Sequence, residues 1–548
     1  MKFYKSIFVL ASLMLFTAQC EVIDDSNLDS PNALPPSSVD PDYLLNNIQL
    51  EARSVYRAAS SYGSEMTRMR YMFGSTYENA FSPTSFNGIY GNAYADLFAD
   101  TQNLLPITDE KGFLFHSGIA KTLQANALIT LVDVFGDMPF SEANDATNFN
   151  PTLDNGESIY AAAQALLDAA IADFAQAVTD GAPLPDNDFF YSGGAADRAD
   201  LWTRAANTMK LKAYLNTGSS SAAALVADAA NSLIVTDDQD FQFQYSTIDV
   251  NPDSRHPDYA GNYIDDTGAS SYMAVSYLNM FLTDKDNADP RMRYYFYRQT
   301  TTDPTDINEN TCLSSFAPNH FDADDPYCLL GDGWWGRDHL MDDGIPPDGD
   351  LRTTFGVYPV GGLFDDNSGN TADRGDGNGG DGIEPILLAS FTHFMAAEVE
   401  KTMNNDAAAA RTHLEAAIRS SFEKVADFGD DQAGGTPFEI STANTDAYVL
   451  EALADYDADN LRAIANEYYF ALWGNGYEAW NLMRRTGFPD RDDNLQPART
   501  PNPGNWYRSV LYPSNMVERN SNIEQKAPAD VLQGPFWDPS KGSTKFNF

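Results

Sequence analysis

Apolar residues recur at helical spacing in many separate segments of this chain, and no other sequence feature limits the fold as much. The first such segment runs from Tyr43 to Met72. Further segments with the same period of about 3.6 residues are 88–105, 113–135, 157–178, 199–217, 221–234, 386–403, 407–426 and 460–484. Gly, Pro, Asn or Asp lies between them, as expected at helix ends. The sequence therefore predicts a mainly α-helical fold.

One pair of these helices indicates how they pack. The stretch PILLASFTHFMAAEVEKTMNNDAAAARTHLEAAIRSSFEKV (385–425) contains two helical patterns joined by Asn-Asn-Asp. Its alanines allow the close approach that a helical hairpin of the tetratricopeptide type needs. The consensus of that repeat is not visible, so the prediction of tetratricopeptide-type hairpins depends on paired helices.

The middle of the chain has a different character. Between about 235 and 385, long connections rich in Gly, Asp and Pro carry scattered aromatic residues. Loops of this length in a compact protein are usually functional or disordered, and the aromatic content favours function. We expect a single domain over 41–548, with a helical scaffold in 41–234 and 386–490. The loop-rich region 235–385 binds the ligand in this interpretation, and 491–548 forms an irregular C-terminal segment.

The N-terminal residues indicate export. Residues 1–19 combine early lysines with a short apolar run, which predicts a secretion signal too short to span a bilayer. Cys20 follows at the expected cleavage point and resembles the acylated cysteine of a lipobox, although Thr17 and Gln19 depart from the usual pattern. Residues 20–40 are rich in Asp, Ser and Pro and predict a flexible, lipidated tether to a membrane.

The charge balance restricts the partners. There are 34 basic and 79 acidic residues, for a net charge of −45, while 43% hydrophobic residues exclude wholesale disorder. Such a chain repels nucleic acid, whose binding depends on Lys and Arg contacts with phosphate. Composition therefore predicts no nucleic-acid partner and favours an uncharged ligand.

Two further cysteines lie in the loop-rich region. Cys312 and Cys328 are close in sequence, and in an exported protein they most simply form a disulfide that contributes about 3 kcal/mol through loop closure. The alternative is a metal site with His320 and His339, but the paired spacing of zinc sites is absent. We expect a disulfide that holds the loop ahead of the tryptophan pair.

Carbohydrate binding explains the aromatic residues best. Trp334 and Trp335 are adjacent, and adjacent side chains diverge, so both cannot easily enter one core and at least one is expected on the surface. An exposed ring stacks on the C–H face of a sugar, and polar groups bind its hydroxyls. Arg337, Asp338 and Asp342 supply those groups nearby.

A second aromatic group follows the first helix. Its candidate ligand-binding residues are Tyr77, Asn79, Phe81 and Tyr90. Other rings of the same stretch are assigned to the core: Phe73, Phe86 and Tyr94. Stacking rings and hydroxyl-binding groups are thus expected from two regions of the chain.

No catalytic constellation is recognisable. The chain lacks the H-E-x-x-H, G-x-S-x-G and P-loop patterns. A formal G-x-G-x-x-G at Gly375, Gly377 and Gly380 lies in a loop with no strand before it, which argues against dinucleotide binding. The same loop offers weak calcium candidates, and any such ion would be structural: Asp365, Asp366, Asp373, Asp376 and Asp381.

Several blocks resemble one family. They are ANALITLVDVFGDMPFSEA (125–143), LWTRAANTMKLKAYLNTG (201–218), GRDHLMDDGIPPDGDLRTTFGVYPVGGLFDD (336–366) and NEYYFALWGNGYEAWNLMRRTGFP (466–489). In this order they resemble SusD/RagB-type nutrient-binding outer-membrane lipoproteins of Bacteroidetes, closest to the subgroup with GDMPFSEA, GRDH and EAWNLMRRTG forms. The resemblance implies a tetratricopeptide-like, non-catalytic protein on the cell surface. It also implies a lid on a SusC-like, TonB-dependent transporter that receives glycans or, in some members, oligopeptides.

The resemblance also assigns roles to residues. Family ligand sites are aromatic arcs after the first helix and in a mid-chain loop, which here correspond to 77–90 and to Trp334 with Trp335. Shared motifs imply scaffold or transporter-facing roles for Tyr477, Trp480, Arg484 and Arg485. The leading hypothesis is a neutral glycan, such as a glucan, as ligand. An oligopeptide is the alternative, a surface hydrolase a remote one, and no cofactor is expected beyond structural calcium.

Overall fold

The computed structural model describes residues 39–145, 147–263, 272–342, 351–360, 362–372 and 375–548. The expected signal, Cys20, nearly all of the tether, and Asp373 lie outside the described residues.

Helices dominate the fold, as the periodicity predicts. In the first half they are α1 Pro41–Met66, α2 Tyr77–Ala80, α3 Asn87–Gly91, α4 Phe98–Lys111, α5 Leu114–Phe135, α6 Gly156–Asp180, α7 Ala195–Thr217, α8 Ser221–Ala227 and α9 Ala229–Ser232. In the second half they are α10 Pro257–Tyr263, α11 Val275–Thr283, α12 Met292–Tyr295, α13 Ala389–Thr402, α14 Ala407–Ala433, α15 Thr442–Ala458, α16 Asn460–Ala471, α17 Gly476–Thr486 and α18 Ser514–Glu518. The mainly α fold class is confirmed. The first helix ends at Met66, before the predicted Met72, and α15 was not predicted.

Two short antiparallel sheets organise the middle of the chain. β1 Phe241–Gln244 pairs with β4 Ile383–Leu387, and β2 Phe296–Arg298 pairs with β3 Thr353–Phe355. The β1–β4 pair joins residues near the two ends of the loop-rich region 235–385. This pairing therefore brings the two ends of the long insertion together.

Local sequence determines where helices begin and end. Asp40 caps α1 by accepting a hydrogen bond from the backbone amide of Asp42, and Pro41 occupies the first turn. Gly181 ends α6 with φ of 66°, in the left-handed region that glycine adopts at little cost.

Glycines allow two central helices to touch through their backbones. A Cβ atom on Gly63 of α1 would lie 2.1 Å from the carbonyl oxygen of Gly476, and one on Gly476 would lie 2.1 Å from the amide nitrogen of Ser64. No larger residue fits there without movement of a helix. The α1–α17 contact thus fixes the start of α17, which carries the EAWNLMRRTG block.

A buried carboxylate accounts for part of that block. Asp133 of α5 accepts hydrogen bonds from the Tyr477 hydroxyl at 2.6 Å, the Asn481 amide at 3.0 Å and the Trp537 indole at 2.7 Å. Arg484 donates to the carbonyl oxygen of Asp133 at 2.6 Å. These contacts, all between buried groups, give Tyr477 and Arg484 a structural role.

Candidate functional site

The adjacent tryptophans are both buried. Trp334 is 5% exposed and Trp335 is 1% exposed, so the prediction that at least one is displayed is wrong. The rings enter different hydrophobic clusters: Trp334 joins the main core, and Trp335 joins a smaller cluster with Tyr272. The Trp335 indole donates to the carbonyl oxygen of Leu351 at 3.0 Å, which satisfies its polar atom. Neither ring presents a face to a ligand.

Arg337 is also a structural residue. Its side chain is buried, with the guanidinium carbon 4.9 Å from the Tyr272 ring centre and 5.3 Å from that of Tyr71. Its backbone amide donates to the carbonyl oxygen of Met273 at 2.9 Å. Cation–π contacts of this kind are strongest where water is excluded. The prediction that Arg337 binds sugar hydroxyls is wrong.

The rings predicted after the first helix mostly face inward as well. Tyr77 is fully buried and Phe81 is 5% exposed, so both are core residues and not ligand platforms. Tyr90 is half-buried, and its ring centre lies 4.6 Å from that of Tyr94. Of this group, Asn79 alone is exposed. Phe86 and Tyr94 are buried as predicted.

The structure nevertheless brings the two predicted regions together. The amide of Leu340 donates to the carbonyl oxygen of Met72 at 3.1 Å, and Phe73 and Met341 form a parallel β-bridge. The Tyr77 hydroxyl lies 3.1 Å from Nε2 of His339. The segment after α1 and the segment after the tryptophans therefore form one surface.

That surface displays residues other than the predicted rings. Phe73, which the sequence assigned to the core, is 52% exposed, and its ring centre lies 6.4 Å from that of the buried Tyr71. Phe316, from the disulfide-closed loop, is 96% exposed. Asn79 and Asp342 are exposed nearby along the same chain segments. We call Phe73, Asn79, Phe316 and Asp342 the aromatic face, and we include Phe316 because its loop packs on the cluster that contains Tyr71.

The predicted disulfide is present and secures part of this face. Cys312 and Cys328 are bonded, with their Cα atoms 5.8 Å apart. Both sulfurs belong to the smaller cluster that also contains Tyr71 and Trp335. The loop that carries Phe316 therefore packs on the same cluster that supports Phe73.

The alternative metal site of cysteines and histidines is wrong. The cysteines are bonded to each other, and Nε2 of His320 lies 2.9 Å from the carbonyl oxygen of Ala498. Burial, with the positive charge of Arg68, lowers the pKa of His339 well below its ordinary value, so its ring is neutral. The two histidines thus have separate partners.

A buried carboxyl group lies beneath the face. Asp338 is 3% exposed, and burial raises its pKa to about 7. The positive charge of Arg499 lowers this pKa and Asp325 raises it, and neither cancels the effect of burial. Asp338 therefore titrates near neutral pH, and it supports the face without reaching the surface.

The calcium candidates do not form a cluster of free ligands. Asp365 is buried and pairs with Arg298 at 2.6 Å and with Arg293 at 3.2 Å. Asp366 is exposed, while Asp376 and Asp381 are half-buried. Within the described residues, no group of three or more His, Cys, Asp or Glu side chains is placed to hold a metal. Asp365 is thus engaged by arginines and is not available as a calcium ligand.

Sequence reasoning missed Phe316, although a signal was present. SSFAPN (314–319) lies inside a short loop closed by the disulfide. Loops generally run over the protein surface, so an aromatic residue in such a segment is a candidate for exposure. Phe73 gave no such signal, because it directly follows the helical pattern.

Comparison with known proteins identifies the family. A family model described as SusD-like, "Starch-binding associating with outer membrane", matches residues 32–313 and 367–513. The chain belongs to the SusD-like family. No curated protein matches it. In the described residues, no helix is both long enough and apolar enough to cross a membrane.

Solved structures agree in fold. A SusD/RagB family protein from Bacteroides thetaiotaomicron is 17% identical, with a TM-score of 0.63, over 92% of this chain and 100% of that one. A chitin-binding SusD homologue from Flavobacterium johnsoniae is 18% identical, with a TM-score of 0.54, over 92% and 96%. At these identities the likeness establishes the fold of this SusD-like protein and not its ligand.

Proposed function

We propose that this SusD-like protein binds a neutral glycan at the cell surface through the aromatic face and delivers it to a SusC-like, TonB-dependent transporter. The observation that carries the proposal is the exposure of Phe73 and Phe316 on two segments that pack on the same hydrophobic cluster. Exposed phenylalanine rings can stack on sugar C–H faces, and Asn79 and Asp342 can bind hydroxyls. The net charge of −45 favours an uncharged polymer such as a glucan over a uronate or sulfated one.

Support for a glycan also comes from family members. The family description specifies starch binding, and two structural neighbours are chitin-binding proteins. Both polymers are neutral and built from pyranose rings. We therefore choose starch and chitin fragments as the first probes.

The binding test compares matched phenylalanine variants. Affinity electrophoresis in soluble starch and glycol chitin, with calorimetry on their oligosaccharides, measures the wild type, Phe73→Ala with Phe316→Ala, and Phe149→Ala. Phe149 is 80% exposed in the loop between α5 and α6, so it controls for loss of an exposed ring. An anchor ring contributes more than about 1 kcal/mol, so affinity at the aromatic face should fall at least roughly tenfold in the double variant. Unchanged affinity in the double variant would refute the assignment of the face.

Two other outcomes would redirect the proposal. Binding of a peptide library with no binding of any glycan would favour the oligopeptide alternative. Release of new reducing ends from starch or chitin would favour a hydrolase. Neither release nor peptide binding is expected from the aromatic face.

Attachment and delivery need separate tests. We propose that acylation of Cys20 tethers the protein to the outer membrane, since a lipid chain anchors without a spanning helix. Cys20→Ser should then remain soluble after cell fractionation and lack the added lipid mass.

A pull-down from outer membranes should recover a TonB-dependent barrel, and recovery of none would count against delivery to a transporter.

A further inference from the structure

An open cavity lies where the disulfide-closed loop meets the C-terminal residues. It has a volume of about 510 Å³, within the range of sites that hold small ligands. Residues that line it include His320, Arg491, Asp492, Pro501, Lys545 and Phe548. None of the four residues of the aromatic face lines it. We call it the C-terminal pocket.

One wall of the pocket is fixed by the disulfide-closed loop. Nε2 of His320 lies 2.9 Å from the carbonyl oxygen of Ala498. Arg491 donates to the carboxylates of Asp322 and Asp325, each at 2.6 Å. These bonds connect the loop to the segment after α17. The wall is therefore formed before any ligand arrives.

The opposite wall is fixed by residues 545–548. The Phe548 carbonyl oxygen accepts from the Ala498 amide at 2.9 Å and from Arg68 Nη2 at 2.9 Å. The Arg68 guanidinium carbon lies 4.6 Å from the Phe548 ring centre. Lys545 pairs with Asp490 at 2.9 Å. A ligand would therefore meet groups already in place, which lowers the entropic cost of binding.

The cations of the pocket walls are paired with carboxylates, which outnumber them. Arg491 is neutralised by Asp322 and Asp325, and Lys545 by Asp490. A polyanionic ligand could form an ion pair with Arg491 or Lys545 only by breaking these existing pairs. A neutral ligand with many hydroxyls can instead add hydrogen bonds to groups that stay paired, and hydrogen bonds to charged groups are the stronger ones.

Asp492 adds an exposed hydrogen-bond acceptor to the pocket, and two further residues add apolar surface. The Asp492 side chain is 85% exposed, and the nearest guanidinium nitrogen of Arg462 is 3.8 Å from its carboxylate. It can therefore accept bonds from a ligand. Pro501 is exposed and the Phe548 side chain half-buried, so both offer apolar surface to the C–H face of a sugar.

We propose that the C-terminal pocket is a second carbohydrate-binding site, which holds a neutral sugar residue between the disulfide-closed loop and the C-terminal residues. The inference rests on the proposed function in that the ligand is a glycan. It adds a site that shares no residue with the aromatic face. A chain with two such sites holds a long polysaccharide more tightly than either site alone would.

The test counts binding sites with short probes. Calorimetric and NMR titrations use maltotriose and chitotriose as short probes. The pocket variant is Asp492→Ala with Lys545→Ala. The matched control is Asp168→Ala with Lys210→Ala, which removes a surface ion pair of 2.6 Å on α6 and α7. Thermal scans check that each variant is folded.

The expected result is two trisaccharides per wild-type and control chain and one per chain in the pocket variant. The variant Phe73→Ala with Phe316→Ala should also retain one, so the two sites are distinguishable. A wild-type chain that binds a single trisaccharide, lost only with the two phenylalanines, would overturn the pocket and leave the aromatic face standing. A single site lost only in the pocket variant would overturn the face instead, and a wild type that binds no probe would overturn both.

Discussion

Replacement of Asp338 by Asn should make this protein more stable at neutral and basic pH and leave it unchanged in acid. Burial raises the pKa of this carboxyl group from 3.8 to about 7. The folded state therefore keeps its proton over a range in which the unfolded chain has lost it. The stability that this proton contributes is fully present below about pH 4 and is lost as the pH rises to 7.

The magnitude follows from the size of the pKa change. A rise of about three pH units corresponds to about 4 kcal/mol, gained gradually at about 1.4 kcal/mol per pH unit. Asn keeps the shape of the protonated acid without its charge. For a chain of this length, whose unfolding entropy is about 1.1 kcal/mol/K, this difference raises the melting temperature by about 4 °C.

The assay is thermal unfolding of both proteins at pH 4, 5, 6, 7 and 8. The melting temperature of Asp338→Asn should equal that of the wild type at pH 4 and exceed it by a growing margin up to about pH 7. Asp342→Asn changes the same group on the exposed surface and should stay within about 0.5 kcal/mol of wild type. A constant difference between Asp338→Asn and wild type over the whole pH range would refute the reasoning.

Three further changes test the fold around the face. Replacing Cys312 and Cys328 by Ser should lower the free energy of unfolding by up to about 3 kcal/mol, measured by denaturant titration, and should open the loop to protease. An unchanged cleavage pattern would show that other contacts hold the loop. Gly63→Ala should destabilise by several kcal/mol, roughly as overpacking does, because its Cβ would meet the carbonyl oxygen of Gly476 at 2.1 Å; an unchanged melting temperature would contradict this contact. Trp335→Ala should cost about 3–5 kcal/mol in unfolding free energy as a buried ring, and a stable variant would place the ring outside the core.

The helical part of the fold could be predicted because its signal is local. Spacing of apolar residues marks a helix wherever one face is buried, and the segments 113–135 and 199–217 match α5 and α7 closely. Helix ends were harder to predict where the sequence carries no strong capping residue. After Met66 the chain leaves the helix, yet Met69 and Met72 are still buried, so the apolar pattern continued past the end of the helix.

The candidate site was less predictable because exposure depends on the tertiary structure. Adjacent side chains do diverge, as the argument on Trp334 and Trp335 required. That argument assumed a single core. A loop between two clusters buries divergent rings on both sides, and no sequence pattern reveals the second cluster. Phe73 shows the converse, because it follows a buried helix and yet lies at the surface.

The disulfide-closed loop unites the two proposed sites. It supplies Phe316 to the aromatic face and His320 to the C-terminal pocket, and it contacts the scaffold at His320. A loop rich in polar residues has little apolar surface with which to hold its own conformation. We therefore expect the covalent link between Cys312 and Cys328 to act on binding as well as on stability, because it restrains the loop that contributes to both proposed sites. Loss of the disulfide should weaken both sites together, whereas loss of Phe316 or Asp492 should weaken only one.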